Sequence, residues 1–262
     1  MKKTFASLAI AGAVFAAATA SATPDPNSAV FVLRIFDDCP FSTLTTTNNY
    51  PSLLRIEESG LSCGGFANLH AWRFSTDGVG QVLFPNDSAF RFSATVTLYG
   101  SVEGEGGLQI APWWSQADGR LNIRTTDGEI ACFGGRLPFY SFTNNGVPPY
   151  VKGTPIHLQI TYLRNGLSMS DPASIQYEVD YLGNHYSSPV LLFDEGNPDE
   201  DPPYGLWGIL NDAKVGGHVQ PFLQAGNPNA TFNADWADIT FENLKPVSVD
   251  DSSWGQIKGL YR

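Results

Sequence analysis

The sequence predicts an all-β protein, a two-sheet antiparallel β-sandwich. Short segments alternate apolar and polar residues, turn dipeptides drawn from 26 glycines and 18 prolines separate them, and no long stretch of the central chain repeats apolar residues at helical spacing. Residues 23–245 show no composition break and no internal repeat, which suits one large sandwich better than two small domains.

The first 22 residues, MKKTFASLAIAGAVFAAATASA, place Lys2 and Lys3 before an alanine-rich apolar run that finishes in small residues at Ala20, Ser21 and Ala22. This is the pattern of a signal peptide over residues 1–22. It implies a secreted or periplasmic protein, and no later stretch is apolar and long enough to span a membrane.

Each strand splits into a core side and an open side, because successive side chains point to opposite faces. In AFRFSATVTLYG (89–100), Phe90, Phe92, Ala94, Val96 and Leu98 face the core, and Arg91 shares the other side with Ser93, Thr95, Thr97 and Tyr99. GLQIAPWW (107–114) puts Leu108 and Ile110 inward and Gln109 outward. If the alternation survives Pro112, Trp113 joins Gln109 and Trp114 enters the core.

Asp127-Gly128 between two alternating runs signals a two-residue hairpin turn. It pairs Ile123 with Cys132 and Asn122 with Phe133. Leu121, Ile123, Ile130 and Cys132 then lie on the core side, with Arg120, Asn122, Arg124, Glu129 and Phe133 opposite.

In TPIHLQITYL (154–163), Ile156, Leu158, Ile160 and Tyr162 point inward, leaving His157 and Gln159 outside. In SIQYEVDY (174–181), Ile175, Tyr177, Val179 and Tyr181 oppose Gln176, Glu178 and Asp180. The closing run ATFNADWADITFENL slips in phase between Trp236 and Ile239, which a bulge near Asp238 reconciles. Beyond it, Trp254, Ile257, Lys258 and Tyr261 stand at helical spacing, so residues 246–262 are expected to form a short helical C-terminal tail.

The charge balance narrows the partners. The chain has 15 basic and 26 acidic residues; removal of residues 1–22 leaves 13 against 26, a formal charge of -13. Such a chain repels phosphate and has no Lys/Arg cluster to reverse this locally, so nucleic acid is excluded as a partner. The acidity serves solubility or calcium binding. For calcium, the loop DEGNPDEDPPYG offers Asp194, Asn197, Asp199 and Asp201, without EF-hand spacing. No other cofactor is expected: the histidines and cysteines lack zinc spacing, and there is no phosphate-binding glycine loop and no G-x-S-x-G elbow. Cys39 and Cys63 sit in turn-like contexts and are expected to pair. Cys132, inside an apolar run, is expected to stay a buried thiol.

An exported chain built of amphipathic strands and closing on TFNADWADITF resembles the concanavalin A-like jelly rolls, which include legume-type lectins, laminin-G modules, laminarinase-type glucanases and alginate lyases. The resemblance covers roughly residues 29–245. It implies a curved antiparallel sheet whose concave face binds saccharides. The glucanase branch would bring two glutamates and an aspartate alternating along one strand; Glu103-Gly104-Glu105 and Glu178 with Asp180 do not have that arrangement.

The alginate-lyase branch is echoed by Arg120-Leu-Asn122-Ile-Arg124, by His157-Leu-Gln159 and by FLQAGNPNA (222–230). Asn122 stands where that branch has glutamate, the histidine and glutamine are reversed, and Pro228 takes the place of the tyrosine. β-Elimination needs a group to neutralise the uronate carboxylate, a base for the C5 proton and an acid for the leaving oxygen. Here Arg124 and Gln159 would serve the first need, and His157 would move protons alone or with Tyr99 or Tyr140.

These readings converge on an exported protein that binds a polysaccharide or oligosaccharide, without catalysis, on an open face carrying Arg91, Gln109, Trp113, Arg120, Asn122, Arg124, His157 and Gln159. Two alternatives stand beside it. One is a polyuronate lyase using the same face. The other is a structural envelope protein attached through its tail. For Arg120, Asn122 and Arg124 a plain solvated face with ion pairs to Glu129 is a further alternative.

Overall fold

Alternating strands of this kind bury their apolar sides only by stacking two sheets. The computed structural model describes residues 23–111, 118–195 and 205–244. Its strands are β1 (Ser28–Asp37), β2 (Thr43–Asn49), β3 (Leu53–Ser59), β4 (Asn68–Ser75), β5 (Phe90–Gly100), β6 (Gly104–Ala111), β7 (Gly119–Arg124), β8 (Ile130–Gly134), β9 (Leu137–Ser141), β10 (Ile156–Leu163), β11 (Ser174–Tyr181), β12 (Asn184–Ser187), β13 (Leu191–Leu192), β14 (Lys214–Pro221) and β15 (Thr231–Asn243).

A seven-stranded sheet has the order β1-β4-β14-β6-β7-β8-β9. An eight-stranded sheet has the order β12-β11-β10-β5-β15-β3-β2, with β13 beside β11. The chain crosses repeatedly from one sheet to the other, which is the jelly-roll connectivity. Neighbouring strands pair antiparallel throughout, as in β5 with β10 and β15 and in β14 with β4 and β6. No helix among the described residues is long and apolar enough to cross a membrane. Residues 1–22, expected to be a signal peptide, Trp113, Trp114 and the expected C-terminal tail lie outside the described residues.

The predicted core sides of β5, β10 and β11 are the observed ones: Phe90, Phe92, Val96, Leu98, Ile156, Leu158, Ile160, Tyr162, Ile175, Tyr177 and Val179 are all buried. Trp72 and Trp236 meet edge to face between the sheets with ring centroids 6.3 Å apart, and Phe74 packs edge-on against Trp72 and Phe92. The bulge in β15 falls where the phase slip placed it, between Ala237 and Thr240, with Asp238 at φ 51°. Aspartate tolerates that left-handed conformation better than most residues. Cys39 and Cys63 form a disulfide and Cys132 is a buried free thiol. Burial pushes the Cys132 thiol well above its ordinary pKa, which leaves it unreactive.

The β7–β8 hairpin corrects one expectation. Ile123 pairs with Ile130, Leu121 with Cys132 and Arg120 with Phe133, a register two residues away from that of a two-residue turn. Gly128 N donates to Arg124 O at 3.0 Å and Arg124 N to Glu129 O at 2.9 Å, which closes a longer loop. Only Gly128, at φ 77°, is left-handed in that turn, whereas a type I′ turn needs two such residues. A shift of two keeps every side chain on its face, so the core assignment survives.

Two buried ionic groups brace the sandwich. Glu58 receives hydrogen bonds from Ser42 Oγ (2.5 Å), Asn68 Nδ2 (2.6 Å) and His70 Nε2 (2.8 Å). Burial raises its pKa, but these hydrogen bonds outweigh burial and hold the carboxyl below its ordinary value. Arg136 donates to Asp118 at 2.6 Å and lies 3.5 Å from Asp194, with its guanidinium over the Phe193 ring.

Candidate functional site

Antiparallel register fixes which outward side chains of the seven-stranded sheet are neighbours. One row runs Val30, Arg73, Gly216, Gln109, Arg120 and Phe133 across β1, β4, β14, β6, β7 and β8. The next runs Val32, Ala71, His218, Gly107, Asn122 and Ala131. A third contains Gln220, Glu105 and Arg124. Tall polar residues therefore flank a floor of glycine and alanine. At Gly216 any Cβ would run into the Trp72 backbone, so that part of the floor must stay bare.

Arg73, Gln109, Arg120, Asn122 and His218 are each no more than 5% exposed although they point away from the core. Arg73 Nη1, Gln109 Oε1 and His218 Nδ1 have no hydrogen-bond partner, and no carboxylate lies within ion-pair distance of Arg73 among the described residues. Burial, and then the nearby charge of Arg120, pull the Arg73 pKa down to about 9. Buried polar groups are rarely left unsatisfied, so these three atoms have capacity for a further hydrogen-bonding group, a water included.

The protonation of His218 follows from its neighbours. Asn122 Nδ2 donates to Glu105 Oε2 at 3.2 Å. A carboxylate only accepts, so the amide is oriented, and Asn122 Oδ1 faces His218 Nε2 at 3.0 Å. Nε2 therefore carries the proton and Nδ1 presents a lone pair. Burial, Arg120 and Arg73 together hold the ring pKa well below its ordinary value, so the imidazole is neutral at pH 7.

Of the eight residues expected on one face, the seven that are described are divided between two. Gln109, Arg120 and Asn122 lie on the polar face just described. Arg124 stands at its rim, bound to Asp127 (2.6 Å) and Glu129 (2.8 Å). Arg91, His157 and Gln159 lie on the outer face of the eight-stranded sheet, on the far side of a sandwich whose sheets are ~10 Å apart. There Arg91 contacts Thr161 and Glu242, His157 contacts Thr95, and Gln159 bonds to Glu178. Period-two alternation tells inside from outside but not which sheet a strand joins. A lyase site made of His157, Gln159 and Arg124 is therefore not assembled, and Tyr99, bonded to Asp235 on the eight-stranded sheet, is equally remote. Trp113 lies outside the described residues.

Asp194, one of the four proposed calcium oxygen donors, is committed elsewhere. It faces Arg136, and its Oδ2 accepts Gly205 N at 3.1 Å and Trp207 N at 2.8 Å. Asn197, Asp199 and Asp201 lie outside the described residues. No group of three or more metal-ligating side chains occurs among the described residues.

Sequence reasoning missed Arg73 and His218. NLHAWRFS is buried on both sides of its strand, so its outward arginine carries no alternation signal. KVGGHVQP carries two adjacent glycines, which weaken its strand pattern. The stretch FLQAGNPNA leaves the sheet after Phe222 and runs into turns closed by Asn227 N to Gln224 O and Ala230 N to Asn227 O, both 3.1 Å.

No family profile matches the chain, and no curated protein is significantly similar to it. Similar solved structures include an alginate lyase from Klebsiella pneumoniae (10% identity, 76% of this chain and 84% of that one, TM-score 0.47). Others are the alginate lyase from Alteromonas sp. 272 (12% identity, 81% and 93%, TM-score 0.41) and arcelin-5, a lectin-like defence protein from Phaseolus vulgaris (12% identity, 82% and 98%, TM-score 0.37). These are likenesses of architecture.

Proposed function

We propose that this is an exported glycan-binding protein whose polar face takes a saccharide bearing a carboxylate. The observation that carries the reading is Arg73: a buried guanidinium with no carboxylate partner among the described residues, beside Arg120 and the unfilled acceptors of Gln109 and His218. A guanidinium recognises a carboxylate through paired donors, while amide and imidazole acceptors suit sugar hydroxyls. The test is calorimetric binding to alginate, polygalacturonate and hyaluronan oligosaccharides, with cello- and laminari-oligosaccharides as neutral controls. Acidic ligands should bind, and Arg73→Ala should weaken them by about 10- to 100-fold, the worth of a charged hydrogen bond. Equal binding of neutral and acidic oligosaccharides would reject the reading.

A polyuronate lyase is the second reading, and one observation favours it. His218 is neutral, its tautomer is fixed through Asn122 and Glu105, and its Nδ1 lone pair is unused. That is the state a general base needs. In such a reaction Arg73 would neutralise the carboxylate, and His218 would accept the C5 proton and return it to the departing glycosidic oxygen as the C4–O bond breaks. Ultraviolet absorbance from an unsaturated product, abolished by His218→Ala while binding persists, would establish it. Silence across the acidic panel would leave binding alone.

A further inference from the structure

We infer that the polar face continues into a second subsite, for an uncharged sugar ring, at the aromatic pair Phe66 and Phe222; this rests on the glycan-binding reading above. The register of β14 continues past its last residue. Phe222 N donates to Glu103 O at 2.9 Å, and Phe222 bridges Ala67, in step with the pairs before it. Phe222 therefore extends the outward column of Gly216, His218 and Gln220. At ~3.3 Å per residue, the column from Gly216 to Phe222 is about 20 Å long, buried at Gly216, His218 and Gln220 and partly open at Phe222.

The aromatic end is built rather than incidental. Phe66 and Phe222 lie with ring centroids 5.2 Å apart and tilted by 34°. The loop bearing Phe66 is fixed by the Cys39–Cys63 disulfide and by Asp38 Oδ2, which accepts Phe66 N at 2.7 Å. Phe66 is 59% exposed, and Phe36, on the same face through its pairing with Leu69, is 40% exposed. Beside Phe222 lies a depression of about 310 Å³ that Ser101, Glu103 and Gln224 also line, at the small end of ligand sites.

The charge changes along the column. Arg73 and Arg120 stand at one end, and Asp38, Glu105 and Glu103 stand near the other, with Glu103 ion-paired to Lys152 at 2.7 Å so that Asp38 and Glu105 carry the excess negative charge. A carboxylate is repelled at the aromatic end, whereas the apolar face of a neutral ring stacks on phenylalanine and its hydroxyls meet carboxylate acceptors. The occupant that fits both ends is one chain in which acidic and uncharged sugars alternate.

The test uses calorimetry with two probes: glucuronate alone, and the hyaluronan tetrasaccharide, in which glucuronate alternates with an uncharged amide sugar. Phe66→Ala and Phe222→Ala should weaken the tetrasaccharide by about 3- to 10-fold and leave glucuronate unchanged, whereas Arg73→Ala should weaken both. Matching melting temperatures would show that the phenylalanine variants fold. Unchanged tetrasaccharide affinity in both phenylalanine variants would overturn the second subsite alone. If neither probe binds the native protein, the glycan-binding reading falls with it.

Discussion

Asn122 sets the tautomer of His218. Because its amide nitrogen is held by Glu105, its oxygen takes the proton-bearing Nε2 of the histidine at 3.0 Å. The outward face of one sheet thus carries an ordered chain from Glu105 through Asn122 to His218, ending on a lone pair beside two arginines.

A titration follows from this arrangement. The folded pKa of His218 lies well below its ordinary 6.5, so the unfolded chain takes up the proton first. The stability it confers is full above about pH 6.5 and is lost as pH falls through the folded value. His218→Gln should therefore show a shallower loss of melting temperature on acidification than the native protein. Asn122→Asp, which sets a carboxylate against the ring, should raise the His218 pKa as followed by NMR. An unmoved resonance would break the proposed link.

Glu58 gives a second acid-sensitive element with the same sign. Its carboxyl is held below its ordinary 4.5, so its contribution is present above that value and lost as pH falls through the folded pKa. Removing it orphans the buried Ser42, Asn68 and His70 donors. Glu58→Ala should cost about 3 kcal/mol or more in urea denaturation at neutral pH, and its deficit should narrow in acid.

Asp118 behaves oppositely. Burial raises the Asp118 pKa to about 6 against the pull of Arg136, so the contribution of Asp118 is greatest below its ordinary value and is lost as pH rises through about 6. Arg136→Met leaves Asp118 and Asp194 buried without their cation. The loss should be about 3 to 5 kcal/mol at pH 7 and smaller at pH 5, measured by denaturant unfolding at both values.

Gly217 tests the inter-sheet packing. A Cβ there would come within 2.7 Å of Trp236 Nε1 and would crowd Trp72 as well. Gly217→Ala should lower stability by about 1 to 3 kcal/mol, a loss readable as a lower melting temperature.

The architecture was legible because burial imposes period two on β5, β10 and β11, and the slip in β15 betrayed its bulge. The hairpin register was only half legible, since Asp127-Gly128 marks a turn but not its length. The site was harder to read. Gln109, Arg120 and Asn122 were visible as outward residues of adjacent strands, but Arg91, His157 and Gln159 carry the same alternation on the other sheet, and no local pattern separates them. Arg73 and His218 come from strands distant in sequence that β14 brings together. Their importance lies in missing partners, which only the assembled sheet displays.

The most direct test of the account is to compare one acidic oligosaccharide with its carboxyl-reduced counterpart in the same calorimetric titration. The native protein should bind the acidic form and lose most of that affinity when the carboxylates become hydroxyls, with Arg73→Ala abolishing the difference. Equal affinity of the native protein for the two forms would contradict it.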